Sequence, residues 1–258
     1  MPDLIVERAD GVVTATLNRP ARKNALTYRL FDELRALFEE VDATASDRAV
    51  VLRGAGGAFC SGMDLADASS ARGTEGGAPP MARINAAAQA LHDLSKPTIA
   101  AVDGLAVGAG MSLALGCDLV VASSHARFSA IFVRRGLSID FGLSWLLPRL
   151  VGAAKAKELC VLGDFVDADE ALALGLVCAV VAPGSLDGAV AALASRLAAG
   201  PTVAIAQDLA LLDASLGRSF AEALDAEAAS QALSLSTTDA AEAIAAFLAK
   251  RDARFEGR

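Results

Sequence analysis

Apolar and polar positions near the N-terminus predict a hairpin: Leu4 to Arg8 and Val12 to Leu17 alternate or run apolar on either side of Asp10-Gly11. Asp-Gly accepts the positive φ that a tight two-residue turn needs, so an antiparallel start is expected. Pro20 closes this unit. Thr27 then reads as the N-cap of an amphipathic helix with Leu30, Leu34, Leu37, Phe38 and Val41 on one face. The apolar run Ala49 to Leu52 is a buried strand, which completes β-β-α-β.

Further on, Ala66 to Pro80 lack periodicity and are rich in turn formers. They read as a mobile loop, either a lid, which its place after a glycine-rich segment suits, or a featureless surface loop. A helix from Met81 to Leu94, a strand at Thr98 to Val102, a short helix inside Gly108 to Leu115 and a strand at Asp118 to Ala122 continue an alternating pattern. The core is therefore an α/β sheet with helices outside it. After Ala168 the strand signal is nearly confined to Leu176 to Val181. Leu186 to Lys250 read as three or four Ala/Leu-rich helices broken at Gly200-Pro201 and Gly217. The division drawn from this is an α/β core over 1–195 and a helical region over 196–258, which docks on its own core or on a neighbouring subunit.

Composition narrows the partners. The 258 residues are 54% hydrophobic and 21% charged, with a formal net charge of −8. No Lys/Arg cluster is longer than a pair, so a nucleic acid is not expected, although Arg22 and Lys23 suffice for a ligand with a few phosphates. Cys60, Cys117, Cys160 and Cys178 form no C-x-x-C, so neither a metal site nor a disulfide framework is expected. Acids stand where a signal peptide would carry its apolar core, and the longest uncharged stretch, Gly104 to Cys117, is too short to span a bilayer. The expectation is a cytoplasmic protein without a membrane partner.

Two glycine-rich loops carry the chemistry. Gly54-Ala55-Gly56-Gly57-Ala58-Phe59-Cys60-Ser61-Gly62-Met63-Asp64 follows the strand at Ala49, and Gly104-Leu105-Ala106-Val107-Gly108-Ala109-Gly110-Met111-Ser112 follows the strand at Thr98. Small residues after a strand let another molecule approach the main chain, and two such loops can aim N–H groups at one oxygen. Ordinary catalytic sets are scarce. Only His92 and His125 are present, and no phosphate-binding or dinucleotide motif fits. Asp64 reads as the cap of a helix or turn beginning directly after it. Asp140, in an apolar setting just before a predicted helix, reads equally as an N-cap or as a catalytic acid.

Several motifs coincide in one order. Leu17-Asn18-Arg19-Pro20 with Asn24-Ala25-Leu26, Ala58 to Leu65, Ala101-Val102-Asp103-Gly104 leading into Gly108-Ala109-Gly110, Cys117-Asp118, and Ala126-Arg127-Phe128 together resemble the crotonase superfamily, the enoyl-CoA hydratase/isomerase family, over essentially the full length. The resemblance implies a crotonase-like spiral of repeated ββα units, a C-terminal helical trimerisation region, and trimers often paired into hexamers. It also implies an acyl-CoA substrate, with coenzyme A as part of that substrate and no separate cofactor. The thioester oxygen would be held by the N–H groups of Met63 and Ala109. Lys23, Ala25 and Leu26 would line the adenine and phosphate end, and Asp64 to Ala66, with Leu65, would border the pantetheine channel. Ala58, Ser61, Gly108, Ser112 and Phe132 fall at the remaining lining positions.

The chain departs from the hydratase pattern at two places. Where that pattern sets glutamates that hold and activate water, this sequence has Ser112 and Phe132. A phenyl ring carries no proton and a serine without a histidine is a feeble base, so ordinary hydration is expected to be very slow. Asp140, within Asp140-Phe141-Gly142-Leu143-Ser144-Trp145, resembles the working acid of an isomerase branch. One carboxylate suffices to move a proton between two carbons. The expectation is a double-bond isomerase with Asp140 as acid/base; the alternatives are a hydratase or hydrolase using Asp140, or a noncatalytic acyl-CoA binder in which Asp140 caps its helix.

Overall fold

Strands β1 (Leu4–Ala9) and β2 (Val12–Leu17) pair antiparallel with Ala9 opposite Val12. Asp10 and Gly11 both take positive φ, 50° and 78°, as the expected hairpin turn demands. In this computed structural model, which describes residues 1–71 and 81–258, helix α1 (Tyr28–Ala43) follows, and the Thr27 hydroxyl accepts from Leu30 N at 3.2 Å. Its buried face is Leu30, Phe31, Leu34, Leu37, Phe38 and Val41, so the 3.6-residue period read from the sequence is the packed stripe.

Strand β3 (Ala49–Gly54) lies parallel to β2. The segment expected to be a loop from Ala66 begins instead as a helix, α2 (Leu65–Ala71), capped by Asp64, whose Oδ1 accepts from Ala66 N at 3.1 Å. Seven residues are too few for an apolar period to show, so this cap is what decides the helix. The rest of the expected lid, 72–80, lies outside the described residues.

Helix α3 (Met81–His92), β4 (Thr98–Val102), β5 (Leu105–Val107), α4 (Ala109–Leu115), β6 (Leu119–Ser123), β7 (Arg127–Ser129) and α5 (Leu143–Leu162) come next. After them run β8 (Val166–Asp167), α6 (Ala168–Ala173), β9 (Ala179–Val181), α7 (Leu186–Ala198), α8 (Thr202–Ala214), α9 (Phe220–Leu235) and α10 (Thr238–Leu248). A six-stranded sheet runs β1-β2-β3-β4-β6-β9, parallel from β2 onward, and a three-stranded sheet runs β5-β7-β8. The pairs β4–β5 and β6–β7 each give one strand to each sheet before a helix, and this is the repeating ββα turn of the spiral. The small sheet escapes periodicity because its strands are two or three residues long.

Alternation along the central strands fills two cores. Val50, Leu52, Ala100 and Val102 face α1 and α4, while Val51, Ile99, Ala101 and Val121 face Leu186, Val190 and Ala194 of α7. The division drawn between 195 and 196 falls inside α7, a helix that belongs to the sheet's second layer. Among the described residues, no single helix is long and apolar enough to cross a membrane.

Candidate active site

Hydrogen bonding stitches the two glycine loops to each other and to the segment after β2. Cys60 N donates to Leu105 O at 2.8 Å and Val107 N to Cys60 O at 2.9 Å, so the first loop joins the small sheet. On its other side Leu26 N donates to Gly62 O and Asp64 N to Leu26 O, both at 2.8 Å. In this parallel bridge Leu26 bonds the residues flanking Met63, which turns Met63's own N–H away from Leu26. Ala109 opens α4, where an N–H has no intrahelical acceptor. Among the described residues, neither N–H has a hydrogen-bond partner.

Two glycines permit this approach. A Cβ on Gly62, whose φ is +94°, would stand 2.7 Å from Val107 O and 3.5 Å from Ala109 N. One on Gly110 would stand 2.4 Å from Cys60 O. The free N–H groups of Met63 and Ala109 therefore sit in neighbouring backbone at the seam between the loops. Ser112 is fully buried, and its hydroxyl donates to Gly108 O at 3.3 Å. The Phe132 ring tip lies 3.9 Å from where a side chain on Gly108 would begin.

Most of the other expected residues join this net through their main chain. Ser61 N donates to Lys23 O at 2.9 Å and its hydroxyl donates to Arg22 O at 3.2 Å. Ala25, Leu26 and Ala58 are buried, whereas Lys23 is exposed and Leu65 is 50% exposed at the start of α2. Asp64 is a clamp: its Oδ2 accepts from Arg19 Nη2 at 2.9 Å, and the Arg19 guanidinium holds its carboxyl below the usual carboxylate range. Arg19 also donates to Ala25 O. His92 is edge-on to Trp145 with ring centroids 5.2 Å apart and lines a cavity with Phe141 and Gly142.

Asn24 is the residue that sequence reasoning missed. It is fully buried with φ 56°; its Oδ1 accepts from Arg19 N at 2.9 Å, and its Nδ2 donates to Ala55 O at 2.8 Å and Ala58 O at 2.7 Å. One side chain thus holds the Arg19 turn to the first glycine loop. The signal available was Asn's tolerance of left-handed backbone. Asn24→Ala strands these groups, and urea unfolding should show a loss of about 2–4 kcal/mol.

Asp140 does not cap the helix that follows it. The cap position of α5 is Gly142, and no side chain bonds the helix start. Among the described residues, Asp140 Oδ1 is buried with no hydrogen-bond partner, and burial pushes the carboxyl up to about 6. A carboxyl raised by burial, with one oxygen left without a partner, is a candidate for proton transfer.

The sequence profile of the enoyl-CoA hydratase/isomerase family matches residues 7–258. The chain belongs to the enoyl-CoA hydratase/isomerase family. It is 36% identical over 253 residues to the 1,2-epoxyphenylacetyl-CoA isomerase of Escherichia coli, covering 96% of each chain. Identity to the short-chain-enoyl-CoA hydratase of Clostridium acetobutylicum is 33% over 250 residues, 96% of this chain and 95% of that one. The solved enoyl-CoA hydratase of Mycobacterium smegmatis superposes with a TM-score of 0.90 at 35% identity, covering 99% of each chain. The family and its crotonase fold are those expected from the motifs, and its members are enzymes.

Proposed function

We propose that this enzyme shifts a carbon–carbon double bond in an acyl-CoA thioester, with Asp140 as the single acid/base and the N–H groups of Met63 and Ala109 as the oxyanion hole. The observation that carries the reading is the half-buried Asp140, whose Oδ1 is buried and has no partner among the described residues and which does not cap α5. The ionised carboxylate takes a proton from carbon 2 of a 3-enoyl-CoA, and the electron pair passes through carbon 1 onto the thioester oxygen. Two preorganised N–H donors stabilise that charge by about 3 kcal/mol each. When the carbonyl re-forms, the 3,4 double bond becomes a 2,3 double bond and carbon 4 takes the proton back from Asp140. No water, metal or redox partner enters this balance.

The positions where the hydratase pattern has glutamates support the choice. The Ser112 hydroxyl is turned onto Gly108 O and Phe132 presents a ring, so neither activates water. The E. coli relative is named an isomerase of an epoxide-bearing acyl-CoA, which supports isomerisation over hydration but not the double-bond shift in particular. Lys23, Ala25 and Leu26 would meet the CoA end, and Asp64 and Leu65 would border the pantetheine. The test is turnover of 3-enoyl-, 2-enoyl- and 3,5-dienoyl-CoA in ¹⁸O-water. Migration of the double bond without ¹⁸O uptake supports isomerisation; ¹⁸O in a hydroxyacyl product would replace it with hydration.

The same reading makes the enzyme a cytoplasmic trimer or dimer of trimers, in keeping with four free cysteines. Helix α9 has no buried side chain, and Phe220 and Phe247 are 80% and 81% exposed beside Leu216 and Leu248. Such apolar surface supports subunit contact. Light scattering should give a trimer or hexamer, and Phe220→Asp with Phe247→Asp should reduce it to monomer.

A further inference from the structure

Phe141 and Gly142 follow Asp140 with φ of 51° and 77°, and Leu143 N donates to Asp140 O at 3.1 Å across them. Two successive left-handed residues under such a bond form a mirror-image turn whose favoured central pair is Asn-Gly. A phenylalanine in the first of those places is a steric outlier. It is retained with its ring 2% exposed and packed on Phe31 of α1, ring centroids 5.8 Å apart. Phe31 is itself fully buried in the main core.

The turn has a consequence for Asp140. Helix α5 starts at Leu143 with Gly142 in the cap position, so the turn leaves Asp140 two residues ahead of the place from which an aspartate bonds a helix start. Among the described residues, its Oδ1 stays buried and unpartnered. We infer that Phe141 is the positioning residue for Asp140: anchored on Phe31, it holds the left-handed turn that keeps the carboxyl off the helix end and free for proton transfer. This rests on Asp140 being the acid/base. Strain held by surrounding packing is a recurring way of keeping a reactive group unsatisfied.

A ring that merely fills space and a residue that holds a turn respond oppositely to two substitutions. Phe141→Val stays apolar, with less bulk, but is β-branched and resists positive φ, whereas Phe141→Asn gives up apolar packing altogether and supplies the favoured Asn-Gly pair. Two readouts on the full chain separate them: kcat and KM with a 3-enoyl-CoA, and the titration of Asp140 followed by ¹³C NMR of aspartate-labelled protein, assigned with Asp140→Asn. The expected result is that Asn keeps kcat within about threefold and the native titration, while Val loses about tenfold or more in kcat at unchanged KM and titrates about one pH unit lower or more. Val equal to or better than Asn in both readouts would overturn the inference. Phe141→Gly, which also accepts the turn, takes Asn's place if the Asn protein does not fold. Undiminished turnover by Asp140→Asn would instead sink the acid/base reading, and the titration, which needs no substrate, still decides the turn.

Discussion

Asp140→Asn lowers kcat by about 10³-fold while acyl-CoA binding stays within a few-fold of native. Asparagine keeps the size and shape of the side chain, so the loops at Met63 and Ala109 are undisturbed and only the proton acceptor is lost. The native enzyme's kcat/KM should rise with pH and level off above about 6, because burial holds the carboxyl protonated below that point. Stability should run the other way. The folded-state value of about 6 lies above the ordinary 3.8, so within that window the folded chain keeps a proton that the unfolded chain releases. Stability therefore falls as pH rises through it. Above about 6 the native chain bears the full cost of an ionised buried carboxylate, and Asp140→Asn does not. Paired urea unfolding at pH 7 should find the variant more stable by on the order of 1–3 kcal/mol, with the gap closing below about pH 4. Loss of activity joined to gain of stability marks a group kept for chemistry. A variant that turns over like the native enzyme sinks the assignment.

The hairpin, α1 and the alternation of β3 and β4 were legible because each is long enough for its period to appear, and because Asp10-Gly11 and Thr27 mark their ends with specific turn and cap chemistry. The small sheet and α2 were not, since two to seven residues carry no period; they are fixed by the pairing of Cys60 with Ala106 and the cap from Asp64, both contacts between distant or adjacent loops. The glycine loops could be placed from their position after strands, while the identity of Met63 and Ala109 as donors came with the family resemblance. Asp140 shows the limit most plainly. An aspartate two residues before a glycine and a helix reads as a cap or as an acid with equal ease, and the cap is excluded only by the handedness of Phe141 and Gly142. Asn24 stood within a recognised motif, but its role was not legible, as its three partners lie on two loops that meet only in the fold.

Gly62→Ala should reduce kcat/KM by about 10³-fold, because the methyl group it adds has no place to go. Its Cβ would stand 2.7 Å from Val107 O, a backbone atom of the small sheet, in a residue whose φ of +94° an alanine resists. Neither cause yields to a side-chain rotation. Relief requires parting the first loop from the second, and that seam is where the Met63 and Ala109 N–H groups adjoin. Displacing one donor from the thioester oxygen costs about 3 kcal/mol of enolate stabilisation, or about 10²–10³ in rate; weaker substrate placement adds to it. Global stability should drop by about 2–4 kcal/mol from strain and overpacking. Gly57→Ala supplies the contrast within the same loop. Gly57 also has positive φ, +75°, but none of the described residues lies within 4 Å of its added Cβ, so the substitution costs about 1–2 kcal/mol of conformational energy and leaves the seam closed. It should keep near-native kcat/KM. The carbonyl stretch of a bound acyl-CoA reads the hole directly: its shift to lower frequency should persist with Gly57→Ala and vanish with Gly62→Ala. A folded Gly62→Ala enzyme that retains both the shift and the rate would place the thioester oxygen elsewhere than between these two loops.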